Sequence, residues 1–465
     1  MSDAIVIGAG AGGLTAATYL ARAGRSVVLL EAEEAPGGVC RPVQLENGWM
    51  APGSAHLLYA LDPQVVKELK LARHGLRFAQ RDMALTGLRA DGGRLTLTRD
   101  VHATARQLAG VSEADAATYV SFQRGLLRHA RMLRRLWWEG KTVKADAALH
   151  QLAVTGAAAF LNSQFESEAA KALMGFDGTD GGLSIQEPGS ALTLIWRLAQ
   201  EVGGLQGATA LPQDGPASLI GALQQAATKA GVELRSHARV TRILADNSKV
   251  SGVELASGEI FTAPLVLSSL PRARTLDLLP PGTAGLAPAP APTAMVGEAR
   301  LLIALSGVPD LDGRPFGTRF VTVERLEAVV AAHAAARAGM LPDEPACEFI
   351  IIPRPEGGAV LSLLARPVPL TGWAAYGPRL TEKMLTFLEP FLPGLRDMVV
   401  AHTLIPPKPM SAPLRNVAHM LGSPRTHVTT NVPGLYLCGR SAEPVPAVSG
   451  RAARFAAALA LRGVP

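Results

Sequence analysis

The sequence is poor in cysteine, in aromatic side chains and in long apolar runs. Its three cysteines, Cys40, Cys347 and Cys438, lie far apart, and none belongs to a Cys-x-x-Cys pair. That spacing argues against a zinc site or a disulfide framework and rules out a dithiol redox centre, so no metal is expected. So few thiols suit a reducing, cytoplasmic compartment. No stretch of 18 apolar residues occurs, and no transmembrane helix is expected. Strand-like sequence begins at Asp3, with no charged leader or apolar signal core before it. Aromatics make up 5% against 48% hydrophobic residues, so the core must be built mainly from Ala, Leu and Val. Charge of one sign is barely in excess, 45 Lys and Arg against 39 Asp and Glu. No basic block is interleaved with aromatics, which argues against a nucleic-acid partner.

What is present is length and punctuation. At about 150 residues per domain, 465 residues suggest two or three domains. Residues 3–8 read as a short buried strand, 12–24 as a helix closed by Gly24, and 26–31 as a second buried strand. Continuous apolar strands of this kind suit a parallel sheet covered on both faces. A hairpin-like stretch surrounds residues 91–93, and the rest of 84–204 looks largely helical. Residues 218–230 read as a helix, then 232–235, 240–244, 250–255 and 260–267 as strands, with turns at 247–248 and 257–258. Five prolines within 280–292 mark a linker. Beyond it, 299–306, 348–352 and 360–365 read as strands, 325–338 and 380–391 as helices. The chain closes with a buried strand at 434–438 and a small-residue helix at 450–461.

The first of these elements carries the chemistry. Gly8-Ala9-Gly10-Ala11-Gly12-Gly13 fits the dinucleotide fingerprint through Gly8, Gly10 and Gly13. The first gives the tight turn, the second lets the backbone approach a pyrophosphate, and the third allows helix–strand packing. The helix N-terminus then offers N–H groups to phosphates. Glu31 ends the next strand, placed to accept hydrogen bonds from ribose hydroxyls and to repel a 2′-phosphate. Pro36-Gly37-Gly38, followed by Arg41, would let the chain pass close beneath a ribityl-pyrophosphate. That points to FAD.

The start GAGAGGL with Glu31 and Gly37-Gly38, the late NVPGLYLCG, and the helix after it resemble the flavin amine oxidase and phytoene desaturase superfamily. LKLARHGL (69–76), FESEAAKAL (165–173) and EPGSALTLIW (187–196) are similar to its desaturase-like branch, which includes pyridine nucleotide-disulfide oxidoreductase domain-containing protein 2. The resemblance implies an α/β fold. A Rossmann-like FAD-binding domain of glutathione-reductase type would take residues 1–83, 211–290 and 426–465. A discontinuous mixed α+β substrate domain would take 84–210, mainly helical, and 291–425. It also implies that Val240 touches the adenine through its backbone and that Gly439, with Arg440 beside it, meets the pyrophosphate. The turn before the last helix, with Ala447 and Val448, would reach the flavin ring, and Gly53, Ser54, Ala55 and His56 would pass near it.

The chain departs from the family's His-Pro-Gly-Gly-Gly-Val type turn, carrying residues 443–448 as EPVPAV. Glycines permit close backbone approach, whereas Pro446 and Ala447 do not do so equally. Glu443 places an anion there, beside a helix dipole suited to a reduced flavin. It reads as a proton acceptor or substrate anchor, or else as a solvated loop carboxylate. His56, His74 and Asp177 read as hydrogen-bonded or capping residues, and Cys438 as a small core thiol outside any covalent-flavin motif.

Arg124, Arg128, Arg131 and Arg135 recur on one helical face, opposite Leu126, Ala130, Leu133 and Trp137. With Trp138, the helix over 124–138 reads either as a basic interfacial helix resting on anionic lipid or as a surface helix with its stripe on the core. The expected activity is hydride transfer from a C–H of an apolar small molecule to flavin N5. The alternatives are an amine oxidase using oxygen, a redox-neutral isomerase and a non-catalytic FAD-binding scaffold.

Overall fold

The computed structural model describes residues 2–89, 91–141, 143–144, 146–245, 249–283, 296–310, 317–407, 427–443 and 447–463. The chain opens with strand β1 (Ala4–Ile7), helix α1 (Ala11–Arg22) and strand β2 (Val27–Leu30). A hairpin, β3 (Ala84–Leu88) and β4 (Arg94–Leu97), precedes a helical stretch that includes α2 (Glu113–Glu139) and α3 (Ala191–Ala199). Then come α4 (Ala217–Lys229), β5 (Glu233–Arg235), a meander of β6 (Val240–Ala245), β7 (Val250–Leu255) and β8 (Ile260–Thr262), and β9 (Leu265–Ser268). Strands β10 (Val296–Leu305) and β11 (Thr318–Val321) lead to α5 (Leu326–Arg337). They are followed by β12 (Cys347–Pro353), β13 (Ala359–Pro369), α6 (Trp373–Leu388) and β14 (Val399–Ile405). Strand β15 (Leu435–Leu437) and α7 (Arg451–Arg462) close it.

A parallel sheet with strand order β5-β2-β1-β9-β15 gathers segments more than 400 residues apart in sequence. Every residue of β1, β2 and β9 is buried, as expected of strands covered on both faces. Helices α1, α4 and α7 pack one face through Leu14, Leu20, Leu223 and Phe455. The β6–β8 meander covers the other through Ile243 and Val253, against Ile5 and Val28.

A second sheet runs β14-β10-β13-β12-β11-β3-β4, antiparallel except where β11 meets β3. Its alternation sorts residues cleanly. Leu301, Ile303, Phe349, Leu361 and Leu363 face α6. Residues of the opposite parity, among them Arg300, Glu348, Ser362 and Arg366, are buried on the other side.

Two sequence expectations are corrected. Residues 260–267 are not one strand. Ala263 and Pro264 separate β8, which ends the meander, from β9, which enters the parallel sheet. Proline cannot donate to a ladder, so the chain leaves one sheet there and joins another. Helix 380–391 begins earlier, at Trp373, with Pro378 inside its second turn, and Trp373 Nε1 is anchored on the Pro369 carbonyl. The turn expected at 247–248 and the linker from 284 onward lie outside the described residues.

Helix α2 starts at a Ser112 cap and stops at Gly140 in the left-handed region. Its stripe of Leu126, Ala130, Leu133 and Trp137 is buried in the helical core, and Arg124, Arg128, Arg131 and Arg135 are exposed. Among the described residues no helix is long and apolar enough to cross a membrane.

Candidate functional site

The turn after β1 closes against three other stretches of chain. Gly8 sits at φ +86°, a conformation open to glycine at little cost. Its carbonyl and that of Ile7 accept from Ser269 Oγ at 3.0 and 2.8 Å. A Cβ on Gly12 would overlap the Cys438 carbonyl oxygen, so only glycine lets α1 rest on the end of β15. Gly13 packs in the same way on the Gly8 carbonyl. The Gly37 N–H donates to the Ala9 carbonyl at 3.1 Å, tying the second glycine turn to the first.

These contacts frame a cavity of about 470 Å³, within the ordinary size of a cofactor cleft. Gly8, Gly10, Ala11, Gly12 and Gly38 line it on one side. Glu31 and Val240 wall it, and Gly439, Arg440, Glu443, Ala447 and Val448 border it from the end of the chain. Sequence reasoning missed Arg239, Arg274, Ser269 and Ser449, which also line it. Helix α1 enters with no side-chain cap and no acid in its first turn, which leaves its N-terminus suited to a phosphate. Arg239, Arg274 and Arg440 add three guanidinium groups to the cavity lining.

Glu31 is nearly buried. Its Oε2 accepts from the Ala9 N–H at 2.6 Å and its Oε1 from the Glu33 N–H at 3.1 Å. Arg41 stands 3.8 Å from it and 3.2 Å from Glu33, behind the wall rather than in the cavity. An ionised carboxylate has about four lone-pair sites, so two remain for ribose hydroxyls. The residues present therefore fit an adenine dinucleotide.

Glu443 is 2% exposed, which corrects the solvated-loop reading. Its Oε1 accepts from Ser449 Oγ at 2.5 Å and from the Ala452 N–H at 3.0 Å, and its Oε2 meets Arg451 Nη2 at 3.1 Å. Arg451 is itself buried, bonded to Gln200 Oε1 and set against the rings of Trp138 and Trp196. The anion foreseen in sequence thus has a guanidinium facing it. Pro444, Val445 and Pro446 lie outside the described residues.

Gly53, Ser54, Ala55 and His56 do not line this cavity. They run one layer behind it, tied by the Ala55 N–H to the carbonyl of Val39, a wall residue, at 2.8 Å. His56 enters a buried polar row on the second sheet instead. Its Nδ1 lies 3.0 Å from Ser362 Oγ and its Nε2 3.1 Å from Glu348 Oε1. Glu348 also accepts from Arg319 Nε at 2.7 Å, and Arg319 Nη2 reaches Asp177 at 2.8 Å. Arg197 and Arg366 approach Asp177 at 3.6 and 3.7 Å.

Burial lowers the His56 pKa to about 4, with Arg300 adding to the effect. The ring is therefore neutral at pH 7, its Nε2–H donating to Glu348 and its Nδ1 accepting from Ser362. Burial pushes the Glu348 carboxyl up, but Arg319 outweighs it and holds the pKa well below the ordinary range. Asp177 is brought to about 2 against the same penalty by Arg197 and Arg319. Asp177, Arg197 and Arg319 also border a smaller cavity of about 150 Å³ lined by Phe122, Leu126 and Met174. His74 is half-buried at the end of a short helical turn, away from both cavities. Cys438 lines the larger one, and burial raises its thiol far above the usual range.

The flavin containing amine oxidoreductase family matches residues 11–295. The chain is 26% identical over 541 aligned positions to pyridine nucleotide-disulfide oxidoreductase domain-containing protein 2 of Mus musculus, covering 99% of this chain and 93% of the relative. It is 33% identical over 278 positions to hydroxyneurosporene desaturase of Cereibacter sphaeroides, covering 56% of this chain and 54% of that one. A putrescine oxidase structure with bound putrescine superposes with a TM-score of 0.64 at 16% identity, over 99% of this chain and 98% of that one. An oxidoreductase from Methanosarcina mazei superposes at 0.66 and 18%, over 98% and 99%.

Proposed function

This chain belongs to the flavin containing amine oxidoreductase family, whose cofactor is FAD, and from that premise we propose that it dehydrogenates an apolar small molecule, as the desaturases among its relatives do. The observation that carries the reading is the cavity of about 470 Å³ where the glycine turn, Glu31 and the start of α7 converge. FAD supplies the two-electron acceptor, and the protein supplies binding, orientation and exclusion of water.

In this reading the parallel sheet and its helices are a Rossmann-like FAD domain assembled from three stretches, and the second sheet with the helical stretch is the substrate domain. Gly8 to Gly13 with Gly38 hold the pyrophosphate against the α1 N-terminus. Glu31 holds the ribose, Val240 lies by the adenine, and Gly439 and Arg440 complete the phosphate side. Ala447 and Val448 bound the far end. Glu443 positions that end instead of accepting a proton, because both its oxygens are already engaged by Arg451, Ser449 and Ala452.

Anaerobic titration tests this. Purified protein is expected to carry FAD releasable by acid, and a polyene or cyclic alkene substrate is expected to bleach the visible flavin band at one equivalent. Folded protein that stays colourless with excess FAD would overturn the reading. Bleaching by amines, with peroxide released in air, would replace it with amine oxidation.

A further inference from the structure

Stretches far apart in sequence meet around the smaller cavity of about 150 Å³. Phe122 and Leu126 line it from α2, one turn apart, and Leu194 and Leu198 line it from α3 in the same way. Leu85 of β3 and Leu97 of β4 bring the hairpin to it. Phe122, Leu126, Leu194 and Leu85 are buried, so the wall they make is apolar and dry.

The charged groups on the rest of the wall answer one another. At the buried end Asp177 meets Arg319 at 2.8 Å and Arg197 at 3.6 Å. At the surface end Asp82 lies 3.1 Å from Arg99, with side chains 40% and 39% exposed. Arg99 Nε also donates to the Gln206 carbonyl at 3.0 Å. A charged ligand would have to leave water and compete with these pairs. An uncharged apolar group has no such cost and gains the burial of its surface.

Size narrows the ligand further. Cavities that enclose a whole small molecule run to about 300–1,000 Å³. One of about 150 Å³ lined by Leu and Phe stays free of water and takes a single benzene-sized group. We propose that this cavity, reached between Asp82 and Arg99, is a binding site for the compact apolar end, about six carbons in size, of an uncharged small molecule whose remainder stays at the mouth. Among the described residues it shares no lining residue with the cavity of about 470 Å³. The site is therefore separate from the cofactor's, and it does not rest on the flavin reading.

The test is titration of the FAD-loaded full chain, carbon-13-labelled at the methionine methyls, with benzene and with the 1-alkanols from butanol to decanol. Met83 and Met174 line the cavity and report on it by NMR, their resonances assigned through Met83→Leu and Met174→Leu. Benzene is expected to shift both resonances saturably. Alkanol dissociation constants are expected to fall about fourfold per added methylene up to about hexanol and then to level off. Leu97→Trp fills the cavity from a half-buried position two residues before Arg99. It is expected to weaken benzene binding at least about tenfold with FAD content unchanged. No saturable shift at either methionine of the unsubstituted protein overturns the proposal without any variant having to fold. So does alkanol affinity that rises evenly to decanol, which marks general partitioning onto apolar surface, and so does benzene affinity that survives in folded Leu97→Trp. If the folded protein takes up no FAD, the flavin reading fails, and the same titration of the FAD-free chain still decides this proposal.

Discussion

His56 Nε2 lies 3.1 Å from Glu348 Oε1, across 292 residues of sequence, with both side chains buried. The pair sets how the fold responds to acid. The folded His56 pKa is about 4, below the ordinary value near 6.5, so the unfolded chain takes up a proton first as pH falls. Its stabilising contribution is complete above about pH 6.5 and disappears as pH drops toward 4. It amounts to roughly 3 kcal/mol. Glu348 and Asp177, both held low, extend the loss to lower pH with the same sign. Urea unfolding at a series of pH values should show it, and His56→Gln should flatten the curve between about pH 6.5 and 4. Parallel curves for the two proteins would count against this account.

Glu348→Gln should cost more than the histidine substitution. It removes a charge that Arg319 meets through two nitrogens and leaves that buried guanidinium facing a neutral amide. Breaking a buried pair from one side costs about 3–5 kcal/mol. Adding Arg319→Met should recover part of the loss, because the two side chains share one network. The urea midpoint of the double variant should lie above the sum of the single losses.

That row was the part of the molecule least legible in sequence. Arg300, Arg319, Glu348 and Ser362 stand on four neighbouring strands, β10, β11, β12 and β13, with nothing in their local spacing to connect them to His56. The nucleotide turn was legible because it is local. Gly8 to Glu31 specify a strand, a helix and a strand within about thirty residues, and the register β1 to β2 follows. The break at Pro264 was visible as a proline but not read as a change of sheet, since the apolar pattern runs through it. Glu443 was singled out correctly as unusual, but its partner Arg451, at the start of the following helix, was not seen as the compensating charge.

Gly12→Ala should separate α1 from the end of the sheet. The added methyl has no room beside the Cys438 carbonyl, and that neighbour is backbone, so it cannot swing aside. FAD affinity should fall at least tenfold and the Tm should drop, with helix content by circular dichroism nearly unchanged. Gly221→Ala gives the contrast. It lies inside α4 with nothing within 4 Å of the added carbon, and it should raise stability by about 0.5–1 kcal/mol.

Glu443→Gln separates a positioning role from a proton-transfer role. The amide keeps an oxygen for Ser449 and the Ala452 N–H, but it removes the charge opposite Arg451, a residue 1% exposed. A guanidinium left without its anion in that setting should cost about 3 kcal/mol or more, read as a lower Tm. Arg451→Met in the same chain should return much of it, because Trp138 and Trp196 already offer an apolar wall to the methionine. Flavin reduction by substrate should slow, yet its pH profile should keep the same shape, since no titrating proton acceptor has been lost. A profile that loses one ionisation while the Tm holds would instead return Glu443 to the chemistry itself. Lost stability that Arg451→Met restores, with the profile intact, fixes it as the carboxylate that holds the start of α7 against the helical stretch.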